Sequence, residues 1–367
     1  MTDFDIRKPD YKGFGGQSRG TIKIIEQKPK VTVLMSVYNC AEFLKIAIDS
    51  ILQQSFSDFE FLIIDDCSND NSKEIINCFN DKRIRLVCND ANIGLSGSLN
   101  KGISLSNGRY IARMDADDIS YYNRLKVQFE FMERHPDIGV CGTWLKTFGD
   151  KNIEWRYPVE SDQIKCCLLF ESPFAHPTVM IRRDTLIENK ILYDASNQIT
   201  EDYDFWVRLS NITNFANIPE VLYSYRLHRR QAGCVKASEQ RTASREIRYS
   251  ILKSIVGDLS YEEQLLHESI CGRNYEISRE FVQQAEDWII KLLRFNMKSR
   301  IFPETSFNKT LANRWFDICC KSNTLRFWIL KKYYNSSLKK HLSTPIISKL
   351  IFFLSCIICL KLNRNNI

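Results

Sequence analysis

The stretch Arg113-Met114-Asp115-Ala116-Asp117-Asp118 decides the reading of this chain. It follows the apolar segment Tyr110-Ile111-Ala112, so a buried strand ends by delivering three carboxylates within four residues into a loop. Charges crowded in this way repel one another unless water, basic groups or a cation compensate them. A divalent cation suits the task, because hard cations take oxygen ligands. The structural alternative is a capping cluster for the next helix, whose N-terminus favours carboxylates.

Upstream, residues 31–38 are β-branched and apolar and read as a buried strand. Residues 41–54 place Phe43, Leu44, Ala47, Ile48, Ile51 and Leu52 on one helical face, with Asn39 as the expected cap. Strands follow at 59–64, ending in Asp65-Asp66, at 84–88 and at 109–114; helices are expected at 72–79 and 98–105. This alternation with short connections predicts an α/β fold, a mostly parallel central sheet flanked by helices. Ligands of such sheets bind beyond the carboxyl ends of the strands. Polar residues gather at those ends: Tyr38-Asn39, Asp65-Asp66, residues 89–92 and residues 115–118. Downstream come a helix over 122–134 and strand-like segments at 139–148, 178–182 and 221–227. Between the last two lies Thr200-Glu201-Asp202-Tyr203-Asp204-Phe205-Trp206, read as extended, so that only one of the adjacent carboxylates Glu201 and Asp202 faces a given side.

The chain has 367 residues, 44% hydrophobic and 26% charged, enough for one large domain or two. Residues 1–30 read as an irregular N-terminal arm, 31–235 as the sheet domain, and 236–367 as a helical region with a basic, apolar tail. Thirteen cysteines, irregularly spaced and mostly inside apolar runs, read as small buried hydrophobes of a reducing compartment. Cys356 and Cys359 form a lone pair without the second pair that a zinc site needs. The polar N-terminus is unlike a secretory signal, so a cytoplasmic location is expected. The formal charge is +7, and the last forty or so residues are basic without an acid. That end reads either as a solvated tail or as a contact with an anionic membrane surface; nucleic acid is not an expected partner. The unbroken apolar run of residues 350–360 is short for a membrane span and fits an interfacial helix or a core-packing one.

Six segments together resemble the inverting nucleotide-sugar glycosyltransferases of family 2, which have the GT-A fold. They are Val31-Thr32-Val33-Leu34-Met35-Ser36-Val37-Tyr38-Asn39, Ile63-Ile64-Asp65-Asp66-Cys67-Ser68-Asn69-Asp70, Asn92-Ile93-Gly94-Leu95-Ser96-Gly97-Ser98-Leu99-Asn100, Ala112-Arg113-Met114-Asp115-Ala116-Asp117-Asp118, Glu201-Asp202-Tyr203-Asp204-Phe205-Trp206 and Tyr225-Arg226-Leu227-His228. They occur in family order over roughly residues 31–230. The chain departs from the pattern at Cys67, where Gly is commoner, and at Leu99, where many relatives carry an Arg that contacts phosphate.

The resemblance implies a role for each residue. Asp117, the second Asp of the DxD motif, would hold Mg²⁺ or Mn²⁺ on the donor diphosphate, with His228 completing the metal site. Asp115 would contact the donor ribose and Asp118 would support the loop. Asp66, assisted by Asp65, would accept a hydrogen bond from the base, which points to a UDP-sugar donor. Tyr38 either packs on the base or sits in the core, and Asn92, Gly94 and Asn100 would line the nucleotide loop. Asp202 is the candidate general base, removing the acceptor proton as its oxygen attacks the anomeric carbon opposite the diphosphate. Glu201, His176, Arg113 and Trp206 are weaker candidates for the acceptor side or for support, with core packing favoured for Trp206. The implied acceptor is a glycan or a polyprenyl-linked oligosaccharide of bacterial capsule, lipopolysaccharide or exopolysaccharide synthesis, reached by an enzyme peripheral to the inner face of the cell membrane. Two rivals remain. A nucleotidyltransferase on a related sheet opens with a Gly-rich loop and a basic residue, which Val37-Tyr38-Asn39-Cys40-Ala41-Glu42 lacks. A non-catalytic binding module has no need of Asp66, Asp115, Asp117 and Asp202 together.

Overall fold

The computed structural model describes residues 28–197, 199–228, 237–342 and 344–358. Most of the expected N-terminal arm, Cys359 and the end of the basic tail lie outside the described residues. At the centre is β1 (Val31–Val37), whose residues are buried on both faces, as a strand with neighbours on each side requires. It pairs in parallel with β2 (Phe59–Asp65) and with β4 (Tyr110–Asp115), and β2 pairs in parallel with β3 (Ile84–Cys88). Helices α1 (Ala41–Leu52), α2 (Ser72–Asn77) and α3 (Gly94–Leu105) make the crossovers. Beyond β4 the sheet changes character. The short β8 (Met180–Arg182) runs antiparallel between β4 and β6 (Ile138–Gly149), and β6 carries a long parallel ladder to β9 (Asn214–Leu227). The two-residue β5 (Ile119–Ser120) pairs with β9, and β7 (Glu154–Trp155) with β6. The long ladders are parallel and the antiparallel ones short, giving the α/β sheet expected.

One face packs on α1 and on α4 (Arg124–Arg134), through residues such as Leu44, Ile48, Leu125 and Met132. The other packs on α3 and on α7 (Glu201–Leu209), with Leu99, Ile103, Phe205 and Trp206 fully buried. Burial of each such side chain contributes about 1.5–3 kcal/mol. A third cluster lies in the helices after residue 236 and takes in Cys166, Leu169 and Phe170 from α5 (Ser161–Cys167) and the turn after it. His267 Nε2 donates to Leu169 O at 3.0 Å, and Arg314 pairs with Glu171 at 2.8 Å, so the helical region is fastened to the sheet domain at this turn. No helix among the described residues is long and apolar enough to cross a membrane.

Four expectations change. Asn39 does not cap α1; it has φ 50° and spends its side chain on Asn69 N. The helix start is served instead from across the loop, where Ala41 N donates to Asp70 Oδ2 and Cys40 N to Ser72 Oγ. Helix α3 begins at Gly94, four residues earlier than expected, where Asp66 accepts from the Ile93 and Gly94 amides. Strand β9 starts at Asn214 rather than 221, because buried Asn217 satisfies its amide on Pro158 O and Pro173 O. The segment read as extended around Glu201 and Asp202 is the first turn of α7, where acidic residues oppose the positive end of the helix dipole.

Candidate active site at the strand ends

Strand β4 ends at Asp115, and the chain turns at once into β5. Pairing of β5 with β9 pins Asp118 beneath the latter, where Asp118 Oδ1 accepts from Arg226 N at 2.7 Å. Arg226 Nε also donates to Asp117 O at 2.7 Å, and its guanidinium lies between the rings of Phe43 and Phe148. One residue past the strand, His228 Nε2 lies 3.1 Å from Asp117 Oδ2. Arg226 and His228 are two apart, so the strand period presents both to the same loop. Asp115, Asp117 and Asp118 bring ligand atoms within 4.8 Å of one another.

The electrostatics of this cluster are costly. Burial, then the charges of Asp115 and Asp117, push the Asp118 carboxyl well above its ordinary range. Asp118 Oδ2 is buried without a partner among the described residues. Burial also raises Asp115, against the pull of Arg113, whose Nη1 contacts Asp115 Oδ1. The half-buried Cys40 thiol is pushed up to about 12 by burial and by the same aspartates. An orphaned oxygen, adjacent carboxylates and one imidazole are a donor set that fits Mg²⁺ or Mn²⁺, with the nitrogen better suited to Mn²⁺.

Arg113 joins this cluster to the carboxylates of α7. It is 4% exposed, and its charge acts on Asp115, Asp202 and Glu201 alike. Asp202 is raised by burial, opposed by hydrogen bonds from Tyr203 N and Ser172 and by Arg113. Glu201 is pushed up to about 7 by burial and by Asp202 beside it. On the helix α7 the two side chains leave the axis about 100° apart rather than on opposite faces, and the charge of Asp202 acts on Glu201. His176 Nε2 lies 2.8 Å from Tyr193 OH, and burial and Arg113 hold its imidazole neutral. Trp206 is fully buried against Phe174 and Phe205 and packs the core.

At the end of β2, Asp66 is 2% exposed. Its Oδ1 accepts from Asn89 Nδ2 and Ile93 N, and its Oδ2 from Gly94 N, which leaves one acceptor direction on Oδ2. Asp65 Oδ2 accepts from Ser68 N with Lys73 at 3.6 Å, while Asp65 Oδ1 is buried without a partner among the described residues. Tyr38 is 49% exposed at the end of β1, so it is not a core aromatic. Asn92 makes a local turn, its Oδ1 accepting from Gly94 N. Asn100 does not line this loop; both ends of its amide are spent on the backbone of Tyr193. Leu99, at the position where relatives carry Arg, is 1% exposed and belongs to the core.

Sequence reasoning missed three contributors. Tyr223 OH accepts from Asp115 N, Arg124 stacks on Tyr223 and donates to Arg113 O, and Arg226 clasps the aspartate turn. For Tyr223 and Arg226 the signal was available in the alternation of β9. For Arg124 there was none, since a fully buried arginine looks like any charge on a helix.

Comparisons with known proteins agree with this geometry. The family model described as Glycosyl transferase family 2 matches residues 32–189. An uncharacterized glycosyltransferase of Haemophilus influenzae is 30% identical over 239 residues, 61% of this chain and 73% of that protein. The O-antigen biosynthesis glycosyltransferase WbnJ of Escherichia coli is 33% identical over 209 residues, 54% of this chain and 80% of WbnJ. Among solved structures, residues 1–349 of S. aureus TarS in complex with UDP-GlcNAc superpose with a TM-score of 0.53 at 17% identity, covering 79% of this chain and 89% of that one, a likeness of fold. With the ordered motifs at the strand ends and these relatives matched over more than two thirds of their length, the chain belongs to glycosyl transferase family 2 and is a glycosyltransferase.

Proposed function

We propose that this enzyme moves a sugar, with inversion, from a UDP-sugar to a glycan or polyprenyl-linked oligosaccharide in surface-polysaccharide synthesis, with Mg²⁺ or Mn²⁺ as cofactor. The observation that carries the reading is the like-charged cluster of Asp115, Asp117 and Asp118, joined by Arg113 to a second carboxylate pair on α7. The polysaccharide setting is supported by the name of WbnJ, and the donor by the UDP-GlcNAc complex of TarS.

In this reading Asp117 and His228 hold the metal and Asp118 fixes the turn that presents them. A divalent cation bound there supplies charge neutralisation for the departing diphosphate. Asp115 receives the donor ribose. The remaining acceptor direction of Asp66 takes the N–H of uracil, and the exposed ring of Tyr38 covers the base. Asp202 removes the acceptor proton as the sugar is attacked from the face opposite the diphosphate; its raised pKa makes it a stronger base than an ordinary carboxylate. Glu201, itself pushed up to about 7 by burial and by Asp202, has its proton linked to that of its neighbour.

Release of nucleoside diphosphate from a panel of UDP- and GDP-sugars, with and without Mn²⁺, tests the proposal on wild type and Asp117→Ala. The expected result is Mn²⁺-dependent release from one UDP-sugar by wild type, reduced on the order of 10³-fold in the variant. Equal release by both proteins removes the metal role of Asp117, and turnover of GDP-sugars alone removes the donor assignment.

A further inference from the structure

The helix Ile346–Ile358 turns Ser348, Phe352, Ser355 and Cys356 inward, with Phe352 packed on Phe316 and Tyr333. Outward it carries Ile346, Ile347, Leu350, Leu354, Ile357 and Ile358, each between 45% and 75% exposed. On a helical wheel these six fall within an arc of about 120°. Half of the inner face is serine and the outer face is aliphatic, the reverse of an ordinary surface helix. A contiguous exposed stripe of this kind marks an interaction surface.

The charge of the segment that carries the stripe selects its partner. From residue 318 to the end of the chain there is no acidic residue. Lys331, Lys339 and Lys340 are exposed, and Lys349 sits at the edge of the stripe. A second copy docking through a two-fold axis would press this patch against itself and bring those lysines together, with no acid on the segment to receive them. An anionic bilayer surface accepts both features, apolar side chains at the acyl boundary and ammonium groups at the lipid phosphates. The helix has 13 residues among those described, about 20 Å of length, and the unbroken apolar run ends at Leu360 before Lys361, against about 30 Å of hydrocarbon. It fits along the interface and not across it. We propose that Ile346–Ile358 docks this chain on an anionic phospholipid surface, lying in the plane of the interface. The inference rests on this helix and stands apart from the donor and acceptor reading.

Sedimentation of the full chain with vesicles tests it, using phosphatidylcholine alone and phosphatidylcholine with phosphatidylglycerol. Wild type is expected to bind the anionic vesicles, more weakly in high salt. Leu350→Asp/Leu354→Asp/Ile357→Asp should weaken binding at least about tenfold, since each change removes an exposed aliphatic side chain that the bilayer would cover and adds a charge. Lys339→Ala/Lys340→Ala should weaken it by up to about 30-fold, the conversion of about 1 kcal/mol per lysine. All three sites of the triple variant are exposed, so its circular dichroism should match wild type. A Leu354→Ser variant provides a milder second reading in the same direction. Equal binding by wild type and the triple variant overturns the proposal. So does an absence of vesicle binding, whether wild type then proves to be a dimer that the triple variant dissolves, or binds only after residues 359–367 are removed.

Discussion

The sheet domain and the helical region both bury charge, but in opposite ways. In the helical region buried charges come as pairs of unlike sign: Arg248 with Glu268, Lys332 with Glu286, Arg314 with Glu171. Its buried histidine is neutral and doubly satisfied, His267 Nδ1 accepting from Trp288 Nε1 and Nε2 donating to Leu169 O. At the strand ends of the sheet domain, by contrast, the five carboxylates Asp115, Asp117, Asp118, Glu201 and Asp202 face two buried arginines, Arg113 and Arg124, and one carboxylate oxygen stays orphaned. Paired charge in the first region fixes structure. Same-sign charge in the second raises the energy of the ligand-free protein, and a cationic or proton-donating ligand relieves it.

The largest effect that can break this contrast is chemical. Asp202→Asn is expected to lower kcat by about 10³-fold, with UDP-sugar affinity by calorimetry unchanged. A kcat within tenfold of wild type would make the α7 carboxylates structural after all. Next comes a paired charge. Arg248→Met leaves Glu268 mostly buried without its partner and should cost about 3 kcal/mol in urea melts; a cost below about 1 kcal/mol would mean the pair does little to fix the fold.

The third test uses pH. Burial lowers His267 from 6.5 to about 3 in the folded chain. Between those values the unfolded chain binds the extra proton, so stability contributed by the neutral imidazole is full above about 6.5 and falls as pH drops. The expected loss from pH 7 to pH 5 is about 2 kcal/mol. The raised site carboxylates act with the opposite sign, so the difference between wild type and His267→Gln isolates the imidazole. Equal pH dependence in both proteins would refute the assignment. The smallest effect sits at Cys67, which holds φ 62°. Cys67→Gly should raise stability by up to about 1 kcal/mol by relieving a left-handed backbone strained for any residue with a Cβ.

That last site shows how much was legible. Cys67 departs from a pattern that favours Gly, and the left-handed backbone explains why Gly is favoured there. The strands around β1 were readable because apolar runs and turn residues leave few alternatives, and the aspartate turn because three carboxylates in four residues leave little besides helix capping as a structural use. The helical start of α7 was misread although its signal was present, acidic residues in the first turn and Arg208 in the last. The beginning of β9 was hidden by Asn214, Asn217 and Pro219, polar or strand-breaking residues, of which Asn217 finds acceptors for its amide N–H groups only in distant chain, at Pro158 O and Pro173 O. At the C-terminal helix the sequence left core packing and an interfacial role open; Phe352 packs inward while the Ile and Leu stripe faces out.

Arg113 has a consequence for the order of events. One guanidinium acts on Asp115 at the end of β4 and on Asp202 and Glu201 of α7. A ligand that engages Asp115 leaves more of that positive field for the α7 pair and favours its ionised form. Thermodynamic reciprocity then requires that proton loss from the α7 pair tighten the ligand at Asp115 by the same factor. Occupancy at one end of the arginine and proton inventory at the other are thus two readouts of a single linked equilibrium.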